Sequence, residues 1–275
     1  MSITDVAPAR TAFAAVTRIA LWDSLAECSM VMATPSAEPE LFAKYHRGAV
    51  ASYARFGVSD AVDPDPAGCA ADTALFWALT DIEGTVVGGV RAKGPLRSPD
   101  EAHATVEWAG QPGEAQVRAM LAERIPDGVL EIKTAWLAKN SATGRHRTKM
   151  IARCMFHAMA VSNVQSCMAT SAAHILDQWG SSGGVIAPIP PTPYPDERYE
   201  TAMMWWDRST FAQHAEPDQV EAVVREMAQL RRAVAPDRST RWRDLLVRSP
   251  RPRVRSTRNT RPAPVETAAP DVVSV

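Results

Sequence analysis

The stretch from Val129 to Gly180 constrains this chain most. An apolar run, Val129 to Ala138, reads as a strand. A short turn with glycine and basic residues follows, Gly144-Arg145-His146-Arg147, and then a Met-rich amphipathic helix over residues 148–162. In that helix Met150, Ile151, Cys154, Met155, Ala158 and Met159 form the apolar stripe, with Lys149, Arg153 and His157 four apart on the opposite face. A second strand over 164–170 and a second helix over 172–179, stopped by Gly180, complete the unit. A strand carrying an acid, Glu131, followed by a basic turn into a helix is an arrangement that can cradle a phosphate.

Upstream, residues 1–15 read as a flexible leader and Cys28 to Ala33 as a first strand. Leu41, Phe42, Tyr45, Val50, Tyr53 and Phe56 approximate helical spacing over residues 40–56, with Gly57 as the stop. Residues 73–80 and 85–92 form a hairpin pattern around Asp81-Ile82-Glu83-Gly84, where glycine supplies positive φ. Residues 104–108 suggest a short strand and 114–124 a helix. A Pro-rich loop, 188–195, leads to a terminal strand over 200–206. A charged helix over 216–234 follows, and its Val220, Val223, Val224, Met227 and Leu230 would make a stripe for assembly.

An apolar content of 46% suits one core-forming domain, here residues 16–210, with residues 211–235 as an added amphipathic helix. The net charge of −1 hides an asymmetry: residues 231–261 hold eleven arginines against two aspartates, a local charge of +9. Residues 236–275, rich in Arg, Pro, Ser and Thr, cannot bury enough apolar surface to offset ordering and are expected to be disordered. Cys28, Cys69, Cys154 and Cys167 have neither paired nor metal-knuckle spacing, which suits a reduced, cytoplasmic setting. No apolar run reaches the roughly 18 residues of a membrane span.

Free amide nitrogens at a helix start, with the helix dipole behind them, attract anions. Gly144 permits the turn, and Arg145, His146, Arg147 and Lys149 add charge. A carboxylate nearby can serve as a general base; Glu131 is the first candidate and Glu107, on the short strand before it, the second. Plainer readings stand beside these. Glu131 reads equally as a solvent-facing residue at a strand start, His146 and His157 as surface histidines, Cys154 and Cys167 as core, and His174 with Asp177 as a solvated helix face. Trp136, Trp205 and Trp206 fill a core or line a ligand tunnel.

The order helix, hairpin, helix, strand, helix, strand, helix, strand resembles the GNAT superfamily of acyl-CoA-dependent N-acyltransferases. Its nearest branch is that of autoinducer synthases and N-acyl amino acid synthases. The resemblance spans residues 28–208. It is carried by Trp77-Ala78-Leu79-Thr80 with Val87-Gly88-Gly89-Val90-Arg91, by Glu131-Ile132-Lys133-Thr134-Ala135-Trp136-Leu137, and by His174-Ile175-Leu176-Asp177-Gln178-Trp179-Gly180. It implies an α/β fold: a mixed, mostly antiparallel central sheet flanked by helices, here with the disordered basic C-terminal tail. It also implies an acyl-CoA or acyl carrier protein phosphopantetheine thioester as donor, a small-molecule amine as acceptor, and no metal. Leu137, Ala138, Lys139, Gly144, Arg145, His146, Arg147 and Lys149 would hold the donor. Arg145 and Arg147 stand where the superfamily's phosphate loop has glycines, which moves phosphate contact to arginine side chains. Lys133 and Thr134 stand where autoinducer synthases carry Ser-Arg or Thr-Arg, so homoserine lactone chemistry is not implied. The alternative reading is a catalytically degenerate binding module in which residues 236–262 contact nucleic acid or an acidic protein.

Overall fold

The computed structural model describes residues 18–139, 142–234 and 273–274. Its strands are β1 (Ile19–Asp23), β2 (Cys28–Ala33), β3 (Leu75–Thr80), β4 (Val86–Lys93), β5 (Val129–Leu137), β6 (Ser166–Ala172), β7 (Val185–Ile186), β8 (Thr192–Pro193), β9 (Glu200–Asp207) and β10 (Val273–Ser274). The helices are α1 (Pro39–Arg55), α2 (Pro66–Ala71), α3 (Ala104–Glu107), α4 (Glu114–Arg124), α5 (Gly144–Ala152), α6 (Cys154–Ser162), α7 (Leu176–Gly180), α8 (Phe211–His214) and α9 (Pro217–Val234).

The strands form one sheet in the order β1-β2-β3-β4-β5-β6-β9-β7, with β8 on β9 and β10 on β5. Every pairing is antiparallel except β5 with β6. This is the mixed, mostly antiparallel, helix-flanked sheet expected from the sequence. In the β3–β4 hairpin Gly84 takes φ +79°, and the Asp81 carboxylate accepts from the amides of Glu83 and Thr85 at 3.0 and 2.8 Å. The turn residues therefore supply both the backbone freedom and the hydrogen bonds that the hairpin needs.

Helices cover both sheet faces. On the first face α1 and α2 bury Phe42, Tyr45, Tyr53 and Cys69 against Phe76, Ala78 and Trp136. Further along the same face α3 and α4 bury Ala104, Trp108, Val117 and Leu121 against Val129, Met168, Met203 and Trp205. On the second face α5, α6, α7 and α9 close over the largest cluster, which includes Trp77, Ile132, Met150, Met155, Cys167 and Trp206. Gly48 of α1 is needed for the approach to the sheet, because a Cβ there would overlap the Trp136 ring.

Several expectations require correction. Strand β1 was not anticipated; it pairs with β2 from Ile19↔Met32 to Asp23↔Cys28. Residues 104–108 form a helix rather than a strand, because the Glu131 carboxylate supplies the acceptors for its first amides. The Met-rich helix is two helices that meet at Arg153. Its supposed polar face is covered by α9: Lys149 pairs with Glu216 and Asp218 at 2.7 Å each, and Arg153 chelates Glu226. His157, expected at the surface, is fully buried with its Nε2 3.0 Å from Glu226. Of the α9 stripe, Val223, Met227 and Leu230 join the second-face core, whereas Val224 is exposed. The helix expected over 172–179 is a 3-10 turn at 173–175 followed by α7.

Cys154 and Cys167 lie in the core as expected, and all four cysteines are buried free thiols. His174 and Asp177 are exposed on one helical turn, in line with the plain reading. The arginine-rich residues 236–262 lie outside the described residues. Within the C-terminal stretch expected to be disordered, β10 pairs with β5. Among the described residues no helix is long and apolar enough to cross a membrane.

Candidate active site at the fork between β5 and β6

Strands β5 and β6 are paired from Val129↔Ser166 to Ile132↔Ala169 and then part. Beyond that point β6 stays with β9 as far as Ala172↔Thr201, while β5 stays with β4. Lys133 and Thr170 are the first residue on each strand past the last pair. Both reach one carboxylate: Glu107 Oε1 accepts from Lys133 Nζ and from Thr170 Oγ1, each at 3.0 Å. Glu107, delivered by α3, therefore sits at the apex of the fork.

The other arm of the fork is bent on purpose. Between Gly89↔Trp136 and Arg91↔Lys133 the β4–β5 register slips by one residue on β5. Thr134 takes φ +57°, an unfavourable conformation for a β-branched side chain. Tyr45 Oη donates to the Thr134 carbonyl at 2.7 Å, and Arg91 Nε to Thr134 Oγ1 at 3.3 Å. The extra residue reverses the side-chain alternation of β5. Leu130 and Ile132 face the second-face core, and after the bulge so do Ala135 and Leu137, while Trp136 turns to the α1 side.

Glu107 is fully buried, and its Oε2 has no hydrogen-bond partner among the described residues. Burial raises its carboxyl above the ordinary range; the Lys133 charge opposes this and the nearby Glu131 adds to it. Glu131 is also fully buried, but both its oxygens are engaged, Oε2 by the amide of His103 at 2.8 Å and Oε1 by that of Ala104 at 3.0 Å. His103 Nε2 lies 2.8 Å from Tyr194 Oη and 3.7 Å from Glu107 Oε1. Burial and the charges of Lys133, Lys93 and Arg91 push its imidazole down to about 3, so it is neutral at physiological pH. Burial and the Glu107, Asp60 and Glu131 charges push Tyr194 up to about 12. The first face thus carries a polar seam between its two apolar clusters.

The basic turn lies on the strand-to-helix connection that follows β5. Thr143 precedes α5, and its Oγ1 is buried without a partner among the described residues. A Cβ at Gly144 would meet nothing within 4 Å among the described residues, so there is space beside that position at the start of α5. Arg145 is exposed and His146 half-buried. Arg147 is instead buried, its Nε donating to the Ala26 carbonyl at 3.1 Å, and Lys149 is committed to α9. Leu137 pairs with Gly88, the Ala138 amide donates to the Val87 carbonyl at 2.8 Å, and Lys139 is exposed.

Sequence reasoning named Glu107, Glu131 and the Gly144 turn but missed His103, Thr143, Thr170 and Tyr194. The spacing of His103 and Glu107, one helical turn apart, was a usable signal hidden by reading that segment as a strand. Tyr194 reaches the seam from the Pro-rich loop, and no local pattern announces it.

No protein-family model matches the sequence. The chain is 46% identical over 217 residues to the protein of Mycobacterium tuberculosis strain H37Rv named "uncharacterized protein Rv1356c", covering 78% of this chain and 82% of that one. The match to "uncharacterized protein Mb1391c" of Mycobacterium bovis has the same identity and coverage. The chain belongs to this mycobacterial family. Family membership therefore extends over most of the described fold. Among solved structures, the chain is similar to FeeM, an N-acyl amino acid synthase from uncultured soil microbes, with TM-score 0.47 and 10% identity over 70% of this chain and 97% of that one. It is also similar to the acyl-homoserine lactone synthase LasI, with TM-score 0.47 and 10% identity over 65% and 89%. A third similar structure is BjaI, a CoA-dependent acyl-homoserine lactone synthase solved with SAM and isopentyl-CoA, with TM-score 0.44 and 12% identity over 70% and 85%.

Proposed function

We propose that the protein is an N-acyltransferase that moves an acyl group from a coenzyme A or acyl carrier protein thioester to a small amine, with Glu107 as the base. The observation that carries this reading is the placement of Glu107: a buried carboxylate with an oxygen unpartnered among the described residues, held at the point where two parallel strands part. The gap between the strands offers a backbone edge for the donor's pantetheine amides. The start of α5, with the Thr143 hydroxyl and Arg145, offers groups for the phosphates.

In this reading Glu107 Oε2 accepts a proton from the amine as its nitrogen attacks the thioester carbonyl. The C–N bond forms, the C–S bond breaks, and the carrier leaves as a thiolate, which is protonated as Glu107 gives up the proton it took. Lys133 and Thr170 fix the carboxylate so that Oε2, and not Oε1, faces the acceptor. Glu131 acts one step back, holding the start of α3 and with it Glu107. A neutral His103 beside Tyr194 adds no positive charge of its own next to Glu107, which suits an amine that must arrive or become unprotonated.

The test is thiol release from panels of acyl thioesters and amines. Glu107→Gln is expected to lower turnover about 10²- to 10⁴-fold, the usual share of a positioned base, with coenzyme A binding retained. Arg145→Ala is expected to weaken donor binding with little change in turnover at saturation. Silence across all donors, together with no binding of coenzyme A, would defeat the proposal.

A further inference from the structure

We propose that the strand at Val273–Ser274 is a built-in competitor for the acyl donor, one that plugs the mouth of the fork. This inference rests on the donor reading given above. Val273 pairs with Trp136 and Ser274 with Ala135, on β5 just past the Thr134 bulge. Strand β10 also lies against β6. It therefore occupies the wedge that opens once β5 and β6 have parted at Ile132↔Ala169.

The physical reason is the state of the β5 edge. Between the fork and Leu137, one side of β5 is paired with β4 and the other has lost β6. Such an edge inside a sheet needs hydrogen-bonding partners, and addition of an extended segment is a common way to supply them. A pantetheine arm, with two amides in an extended chain, would satisfy the same groups. So does the Val273-Ser274 strand, which lies in a sequence, Val272-Val273-Ser274-Val275, rich in β-branched residues that favour extended backbone. Both ligands use one edge, so binding of one excludes the other. The strand spares Glu107: it pairs at residues 135 and 136, outward of the apex at Lys133 and Thr170.

Competition lowers apparent donor affinity by the fraction of molecules in which the wedge is free. Three proteins test this: the native chain, a chain ending at Asp271, and the native chain carrying Val273→Pro, which removes an amide donor and disfavours strand pairing. The shortened chain keeps every arginine of residues 231–261, so the electrostatics of that segment are unchanged. Coenzyme A binding is measured by calorimetry and the protection of residues 133–138 by hydrogen exchange.

The expected result is coenzyme A binding about tenfold tighter in both altered proteins, corresponding to a wedge about nine-tenths occupied, with faster exchange over residues 133–138. A synthetic peptide of residues 270–275 added to the shortened chain should reverse both effects. Equal affinity in all three proteins with unchanged exchange overturns the proposal. Faster exchange on shortening with no coenzyme A binding by any of the proteins overturns the competition and the donor reading together, while leaving the strand pairing in place. Exchange protection that depends on protein concentration overturns it in favour of a strand supplied by a second copy.

Discussion

At the scale of single residues, the fork is defined by a few side chains whose loss has distinct signatures. Lys133 lies 3.0 Å from Glu107 and opposes the upward pull of burial on that carboxyl. Lys133→Met should therefore raise the Glu107 pKa further, and the acid limb of the pH–rate profile should move to higher pH. An unmoved limb would mean that Glu107 is not the group that titrates. Tyr45 tests the bulge instead. Tyr45→Phe removes the hydroxyl that satisfies the buried Thr134 carbonyl, at an expected cost of about 1–3 kcal/mol in denaturant unfolding. Both residues are visible in the sequence, yet neither role is. Lys133 was noted only as a departure from a family pattern, and Tyr45 as one of several apolar positions on a helix, because a hydrogen bond spanning 89 residues leaves no local trace.

At the scale of elements, periodicity located the longer helices and strands but not β1, the short β7, β8 and β10, or α2 and α8, and not what each element faces. The alternation over residues 129–137 reads as one continuous strand, whereas the Thr134 bulge divides it into two halves with opposite orientation. Lys149, Arg153 and His157 share a helical face in the sequence, and a charged face is ordinarily solvated. Here α9 brings Glu216, Asp218 and Glu226 to them, which a sequence pattern for either helix alone cannot show. Arg153 also donates to Asp23 of β1 and to Gln219. One guanidinium thus fastens the first strand, the central helices and the last helix together. Glu226→Gln keeps the shape but removes the charge that compensates buried Arg153, so we expect a loss of about 3 kcal/mol. The measurement is equilibrium unfolding in urea, followed by tryptophan fluorescence. A variant as stable as the native chain would show that Asp23 and Gln219 suffice.

Across the whole molecule, acid is the condition to which the fold should be most sensitive. His103 is depressed from 6.5 to about 3, so the unfolded chain takes up its proton first and stability falls as pH drops below about 6.5. For Glu226, burial alone would raise the carboxyl, but hydrogen bonds and charge from His157 and Arg153 win and hold it at about 2. Its contribution is complete above about 4.5 and disappears as pH falls toward 2. Glu107 works in the opposite sense, since a raised carboxyl is relieved by protonation. Urea unfolding from pH 7 to pH 3 should show a steady decline, and in His103→Gln the portion between 6.5 and 4.5 should flatten. The cysteines have a consequence for the bench. All four are buried, and burial is the main cause that raises each thiol, Cys28 to about 11. A thiolate is the form that reacts with disulfide and maleimide reagents, so the native chain should be silent to a colorimetric thiol reporter. Every thiol counted during turnover then belongs to the released carrier, and slow labelling of the protein itself becomes a clock for its opening.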